Sequence, residues 1–514
     1  PPLRQKKLND LIPDSFYREI FMSPCLSGWD RGEEKHNYMI MCHQMLSRSY
    51  LNSALKLRES GIISRNMVYL KGISNISLAN NGTHISIGSS RLNDMLKDPS
   101  SLYTGAHEKY FGDLAVKIYE HFITLFSGVY SADPYRLNFK DFYPEKILGF
   151  LSHELDFTHL RMLWRGWKDK AKIKVLGNPL TPFGPEWMER LVAGTCRLKG
   201  DFVNDYRLID YFVSLLSTDE SPSLNGEEGN DERLKADLSS QGVFDTSMSF
   251  YSFFRQRILK HNGFTGFEGR YYSLFESLDY DFKNAASLQM LITAFAYKQM
   301  IFSGVTHDHI PDNLEIESER RQAVFSSAIG LPLFFVKKKT GNEFLKKILA
   351  YTVKTSNSGR YQGYLKVSLS DYRLALVKML RAEGADLIEK MGMEDTVRDL
   401  EARLENPAEL FASARLTGRI MSEAGISTPL KAKGNEFNAA AEEYYRCGLR
   451  WKHIDEAFDL IEKDAEYLSG NIENFDSEYR RALNSSCDIN SIMTFVKSAR
   501  KEFKEGTLPL LYIR

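Results

Sequence analysis

The chain has 514 residues, of which 43% are hydrophobic and 26% charged. This composition excludes disorder, collagen or a disulfide scaffold as a description of the whole, and the length predicts more than one lobe or one large fold with insertions. Lys plus Arg and Asp plus Glu each number 67, so the formal charge is zero, and coating of nucleic acid or anionic membrane through global charge is disfavoured.

The start, Pro1 to Lys7, has no apolar stretch of the kind a signal peptide needs, and it lacks an initiator Met. No leader is therefore expected, and the natural N-terminus is expected to lie upstream. A first helix is predicted over 33–58. The segments 74–78 and 84–87 then alternate polar and apolar residues around Asn81-Gly82, which predicts an antiparallel hairpin burying Ile76, Leu78, Ile85 and Ile87. Thr104 can cap a helix through residue 126, with Phe111, Leu114, Ile118, Phe122 and Leu125 at helical spacing. Further helices are predicted over 152–170 and 205–216. The Ser-, Pro-, Gly- and acid-rich stretch 217–231 reads as a loop. It is expected to divide an N-terminal lobe, 1–216, from a mostly helical C-terminal lobe, 232–514.

The most apolar stretch, 285–302, is interrupted by Gln289, Lys298 and Gln299. It is too short and too polar for a membrane span and reads as a buried helix. Short strands are predicted at 333–336 and 364–367, and helices at 370–391 and 394–404. Phe437, Ala440, Tyr444, Cys447, Trp451, Ile454, Phe458, Ile461, Ala465 and Leu468 recur at spacings of three and four. They predict one long helix near 437–468, spanning roughly 50 Å. Its seam would pair within the chain or with a second subunit. The expected fold class is α+β and predominantly helical: helical lobes with a minor antiparallel β element near 74–87 and a long C-terminal helix.

The five cysteines are Cys25, Cys42, Cys196, Cys447 and Cys487. They are odd in number and far apart, which argues against disulfides and for a soluble, cytoplasmic protein. Cys42 and Cys447 fall in helical patterns and read as small core residues. Phosphate-cradling, zinc-hydrolase, nucleophile-elbow and calcium-loop motifs are all missing from the sequence. Gly263, Gly266 and Gly269 have the wrong spacing for a dinucleotide turn. No motif ties the chain to a known family.

Four constellations bear chemistry. Thr306 to Asp312 carries His307, Asp308, His309 and Asp312. In an extended segment His307 and His309 would point the same way and could share a divalent metal, while Asp312 completes the site or orients an imidazole. The bland alternative is a polar turn. Glu33 and His36 have the spacing of helical di-metal sites, with His43 and the Asp156–His159 pair nearby in pattern, but no second copy exists. Arg161, Arg165, Lys168 and Lys172 form a basic stripe beside Trp164 and Trp167. It suits phosphates and bases or, at zero net charge, a solvated face. Finally, three polar loops are expected at 266–272, 315–321 and 358–364, presenting Arg270, Arg320, Arg321 and Arg360, whose forks suit carboxylate or phosphate. His107 and His121 lie too far apart on their helix to share an ion and read as surface or interface histidines.

The first functional expectation is an enzyme for a small anionic substrate, a carboxylate or phosphate. Arg270, Arg320, Arg321 or Arg360 would hold it, and His307, His309 and Asp312 would provide acid–base or divalent-metal chemistry. The alternative is a non-catalytic helical interaction protein or scaffold, homo-oligomeric through the C-terminal helix. Nucleic acid and membrane are not expected partners.

Overall fold

The computed structural model describes residues 83–131, 174–175, 178–179, 221–222, 224–240, 254–271, 275–313, 316–317, 319–323, 333–352, 355–357, 363–427, 434–474 and 489–505. These residues form a predominantly helical α+β fold with two small antiparallel three-stranded sheets. In chain order the first elements are β1 (Thr83–Gly88), α1 (Ser90–Lys97), α2 (Gly105–Glu120), α3 (Asn230–Ser240), β2 (Phe254–Arg257), β3 (Gly266–Tyr271) and α4 (Lys283–Phe302). They continue with β4 (Leu333–Lys337), α5 (Glu343–Leu349), β5 (Thr355–Asn357), β6 (Tyr364–Ser368), α6 (Leu369–Glu383), α7 (Ala385–Lys390) and α8 (Glu394–Glu405). The last are α9 (Ala412–Glu423), α10 (Gly434–Glu443), α11 (Leu449–Asn471) and α12 (Ile489–Lys504). No helix among the described residues is long and apolar enough to cross a membrane.

The predicted strand at 84–87 exists as β1. Its described neighbour is β3, about 180 residues further on, with Ile85 opposite Gly269 and Gly88 opposite Gly266. The other arm of the predicted hairpin lies outside the described residues. So do the helices expected at 33–58, 152–170 and 205–216, with their ExxH, DxxH and basic tryptophan patterns. β3 also pairs with β2, which makes it the central strand. The segment 266–271, expected as a polar loop, is therefore a strand. Gly266 explains part of the glycine run: a Cβ there would sit 2.0 Å from the Ile87 carbonyl oxygen. Because that obstacle is backbone, Gly266→Ala must push the strands apart. The expected cost is about 1–3 kcal/mol, read by chemical denaturation.

The second sheet has β6 in the centre, between β4 and β5. Both strands predicted here, 333–336 and 364–367, are present, and Phe334 lies opposite Val367. Helix α4 runs through the core. It is apolar on most of its circumference, as a helix enclosed on several sides should be. Leu288, Leu291, Ile292, Phe295 and Ala296 have no exposure. Phe295 meets Phe122 edge to face at 5.8 Å. The polar interruptions that marked this stretch all find partners. Gln289 donates to the Ile85 carbonyl at 2.7 Å, Gln299 donates to Glu383 at 2.8 Å, and Lys298 pairs with Asp386. One continuous apolar cluster takes residues from both sides of 217–231, from Ile85 through Tyr130 and from Phe254 through Leu400.

A smaller cluster joins Leu416, Ile420, Phe437, Ala441, Tyr444 and Leu449. A buried polar hub fastens it to the main core. Asp281, in a π turn at Leu278–Phe282, has no exposure. Arg403 donates to it at 2.8 Å, and Arg415 Nη2 reaches both of its oxygens at 2.6 and 2.5 Å. Glu276 receives Lys452 at 2.6 Å and the Tyr444 hydroxyl at 3.3 Å.

The long C-terminal helix is interrupted by a second π turn, Tyr444–Gly448. One extra residue in a turn moves every later residue about 100° around the axis. The predicted stripe therefore drifts off the core beyond that point. Cys447 is exposed rather than a core residue, and Trp451 and Ile461 are 41% and 44% exposed. The described partner of this seam is α12 of the same chain. Phe503 lies 4.1 Å from Trp451, and Arg500 pairs with Asp455 and Asp459 at 2.7 Å each.

A buried charged row as candidate functional site

Helix α2 carries two faces. One holds Leu114, Ile118 and Phe122 against the core. The other places Lys109, Asp113, Lys117, Glu120 and His121 at successive turns, where residues three and four apart are neighbours. All five are enclosed, with exposures of 6%, 1%, 0%, 4% and 0%. Lys, Asp and Glu are rarely this buried unless paired, so each partner matters.

At the N-terminal end, Asp113 accepts from Lys109 at 2.9 Å, the Gly226 N–H at 3.0 Å and the Asn230 amide at 2.8 Å. Burial pushes its carboxyl up to about 6, against the lowering pull of Lys109. In the middle, Lys117 donates to the Ile310 carbonyl at 2.5 Å. Burial pulls its ammonium down to about 8; Asp312 opposes this and Arg320 adds to it. Asp312 accepts the Leu224 N–H at 2.6 Å. His307 lies edge-on to Tyr110, 4.6 Å between ring centres, and its Nε2 donates to the Tyr110 carbonyl at 3.0 Å. Burial, helped by the Lys117 charge, holds His307 down to about 4.

At the C-terminal end, Glu120 binds two guanidiniums. Arg320 Nε meets one oxygen, and Arg321 Nη2 meets the other at 2.6 Å. Arg321 also pairs with Glu317 at 2.6 Å. Burial opposes ionisation of Glu120, yet the two cations hold its carboxyl down to about 2. Arg320 differs from its neighbour. Its side chain has no exposure, and its terminal nitrogens, Nη1 and Nη2, have no hydrogen-bond partner among the described residues.

Described residues of the segment expected as a lobe boundary, 224–230, lie across this row. Leu224 and Gly226 hold Asp312 and Asp113 through backbone N–H groups. Gly226 has φ of +80°, and a Cβ there would come within 2.7 Å of His307 Nε2 and 3.1 Å of the Tyr110 Cα. Both the left-handed backbone and the tight approach require glycine.

Of the residues singled out from the sequence, His307, Asp312, Arg320 and Arg321 converge on this row. His309 does not join them. Residues 307–309 form a 3₁₀ turn, not an extended segment. At three residues per turn, positions two apart point about 120° apart. His309 is exposed, and its Nδ1 contacts the Thr306 hydroxyl at 2.9 Å as part of a cap. Among the described residues, no group of three or more His, Cys, Asp or Glu side chains could hold a metal ion. Arg270 sits in β3, opposite His84. Arg360 lies outside the described residues. Residues 316–323 are helical at their described positions, so Arg320 and Arg321 come from a helix rather than a loop.

His121 is also corrected, from a surface or interface residue to a fully buried one. Its Nδ1–H donates to the Lys117 carbonyl at 2.9 Å, and its Nε2 accepts from the Asn342 amide at 3.0 Å. These contacts assign the neutral tautomer. Burial holds the ring down to about 3.

The missed residues are Lys109, Asp113, Lys117 and Glu120. Charges spaced four, four and three apart on one face of a helix read in sequence as a solvated face, and nothing local marks their enclosure.

The titrations predict a pH profile. His121, His307 and His453 have folded values below the ordinary 6.5, at about 3, 4 and 4. The unfolded chain therefore binds more protons, and stability is lost as pH falls through that window. Asp113 has the opposite sign between 3.8 and about 6, because its folded value is raised. The net of roughly two protons gives about 2 kcal/mol of stability lost per pH unit between about 6 and 4, with His307 discounted for its greater solvation. Denaturation midpoints measured across that range check this, and His121→Gln should flatten the slope by about one proton.

No protein-family model, curated protein or solved structure matches the chain.

Proposed function

We propose that the buried row is the binding site of an enzyme for a small anionic molecule, a carboxylate or phosphate. The observation that carries this reading is Arg320. Each unpaired buried donor costs about 1–3 kcal/mol, more when charged, and an oxyanion between Nη1 and Nη2 would remove that cost with two parallel charge-assisted bonds. Its Nε is already fixed by Glu120, so the fork is held in place before any ligand arrives. Lys117 supplies a second cation nearby.

The acid–base work then falls to Asp113 and Lys117, whose values of about 6 and about 8 bracket neutrality. His307 and Asp312 shape the row and hold the 224–230 segment over it. His309 has no part in it. Thermal denaturation with added lactate or phosphate tests the reading. Ligand at a hundred times its dissociation constant should stabilise the protein by about 2.7 kcal/mol. Arg320→Met, checked for a native near-UV spectrum, should lose that response. Equal stabilisation of both proteins would sink the proposal.

A second reading, a helical interaction surface, is favoured by the exposed Trp451, Ile461, Tyr467 and Phe495 on α11 and α12. Concentration-dependent sedimentation tests for self-association through it. A monomer at high concentration whose Trp451 fluorescence is unquenched by any second copy removes the homo-oligomer.

A further inference from the structure

We infer that Lys117 is an imine-forming nucleophile, and that the anion held by Arg320 is the carboxylate of a short 2-oxo acid. This rests on the anion-site reading above and goes further by assigning the chemistry beside the carboxylate. Lys117 lies on the enclosed face of α2, three residues before the glutamate that fixes Arg320. Its side chain is fully buried, and its Nζ donates to the Ile310 carbonyl. The charges of Asp312, Asp113 and Glu120 act on it from one side of the balance, and that of Arg320 from the other.

A guanidinium with two nitrogens unpaired among the described residues and a buried amine in one row match a molecule with two adjacent functions. The carboxylate would take the Arg320 fork, and the neighbouring ketone carbon would face the amine. An amine becomes nucleophilic when desolvation and a second cation hold it partly unprotonated. With its ammonium at about 8, Lys117 carries roughly two-hundredfold more free amine at about pH 7 than an ordinary lysine.

The step balances within the row. The Lys117 lone pair attacks the ketone carbon and a C–N bond forms. The carbonyl oxygen collects two protons, one from the amine nitrogen and one from the Asp113 carboxyl, and leaves as water. The nitrogen keeps its second proton, so the C=N bond forms already protonated beside the Asp113 carboxylate, and it draws electrons from the bonds to the adjacent carbon. The 224–230 segment, fastened to Asp113 and Asp312 through Gly226 and Leu224, covers the row, so entry requires that segment to lift.

The test uses the intact protein with pyruvate and sodium borohydride, and peptide mass mapping of every lysine. Lactate, which has the carboxylate but no ketone, serves as competitor and as the separate probe of the anion site. The expected result is a reduced pyruvate adduct on Lys117 at least about tenfold above any surface lysine. It should be suppressed by excess lactate and absent in Arg320→Met. If lactate binds in an Arg320-dependent way but no adduct forms on Lys117, the imine is overturned and the anion site stands. Should neither lactate nor pyruvate bind, both fall. Adducts spread evenly over surface lysines also overturn the imine. Because the adduct is mapped on the unmodified protein, the result does not depend on a Lys117 variant folding.

Discussion

Replacement of Asp281 by leucine is expected to cost about 3–5 kcal/mol and to loosen the C-terminal helices. The carboxylate is fully buried and is shared by Arg403 and Arg415, and it also accepts the Ser277 N–H at 3.0 Å. Arg403 is itself enclosed, stacked 4.4 Å from the centre of the Tyr130 ring. Without Asp281 it loses its buried counter-charge and keeps Asp399, which is partly solvated. Removing one partner of a buried pair leaves a charge with no water to compensate it, and that dominates any apolar gain from leucine. The loss should be local as well as global. Arg415 is on α9, so hydrogen exchange should accelerate first in α9, α10 and α11. A change below about 1 kcal/mol, or uniform exchange across both clusters, would show that the hub does not join them.

Glu120→Gln is expected to produce a loss of similar size, about 3–5 kcal/mol, with an added signature. Glu120 is the shared anion of Arg320 and Arg321. Its amide replacement leaves Arg320 without a charged partner among the described residues, while Arg321 keeps Glu317. Small oxyanions should therefore restore part of the stability, up to about 2.7 kcal/mol at a hundred times their dissociation constant. Sodium chloride at the same ionic strength should not. Equal effects of lactate and chloride would reduce the result to general screening.

How far the sequence revealed this molecule depends on where charge lies. Strands β4 and β6 and helix α4 were legible because apolar runs with polar flanks leave few alternatives. Helix α2 was legible through Thr104 and its apolar spacing. The row on its other face was not, because Lys109, Asp113, Lys117 and Glu120 look in sequence like a solvated face. Among the described residues, 224–230, Ile310, Arg320 and Arg321 enclose them, and those contacts span about 100 to 200 positions. His307 and His309 were grouped on the assumption of an extended segment, but the cap at Thr306 winds them into a 3₁₀ turn. Arg320 and Arg321 stood out in the sequence as anion-suited forks, while the partner that fixes them, Glu120, had no local signature. The π turn at 444–448 was equally silent, since its spacing mimics an ordinary helix until the burial on either side is compared.

The most direct test of the anion site is calorimetric titration of lactate into the wild-type protein and into Arg320→Lys, which keeps the charge but removes the fork. One-site binding in the wild type, weakened at least about tenfold in the variant, is the predicted result; tenfold corresponds to about 1.4 kcal/mol. Equal binding by both proteins, or no heat of binding in the wild type, would contradict the assignment of Arg320 as the centre of the site.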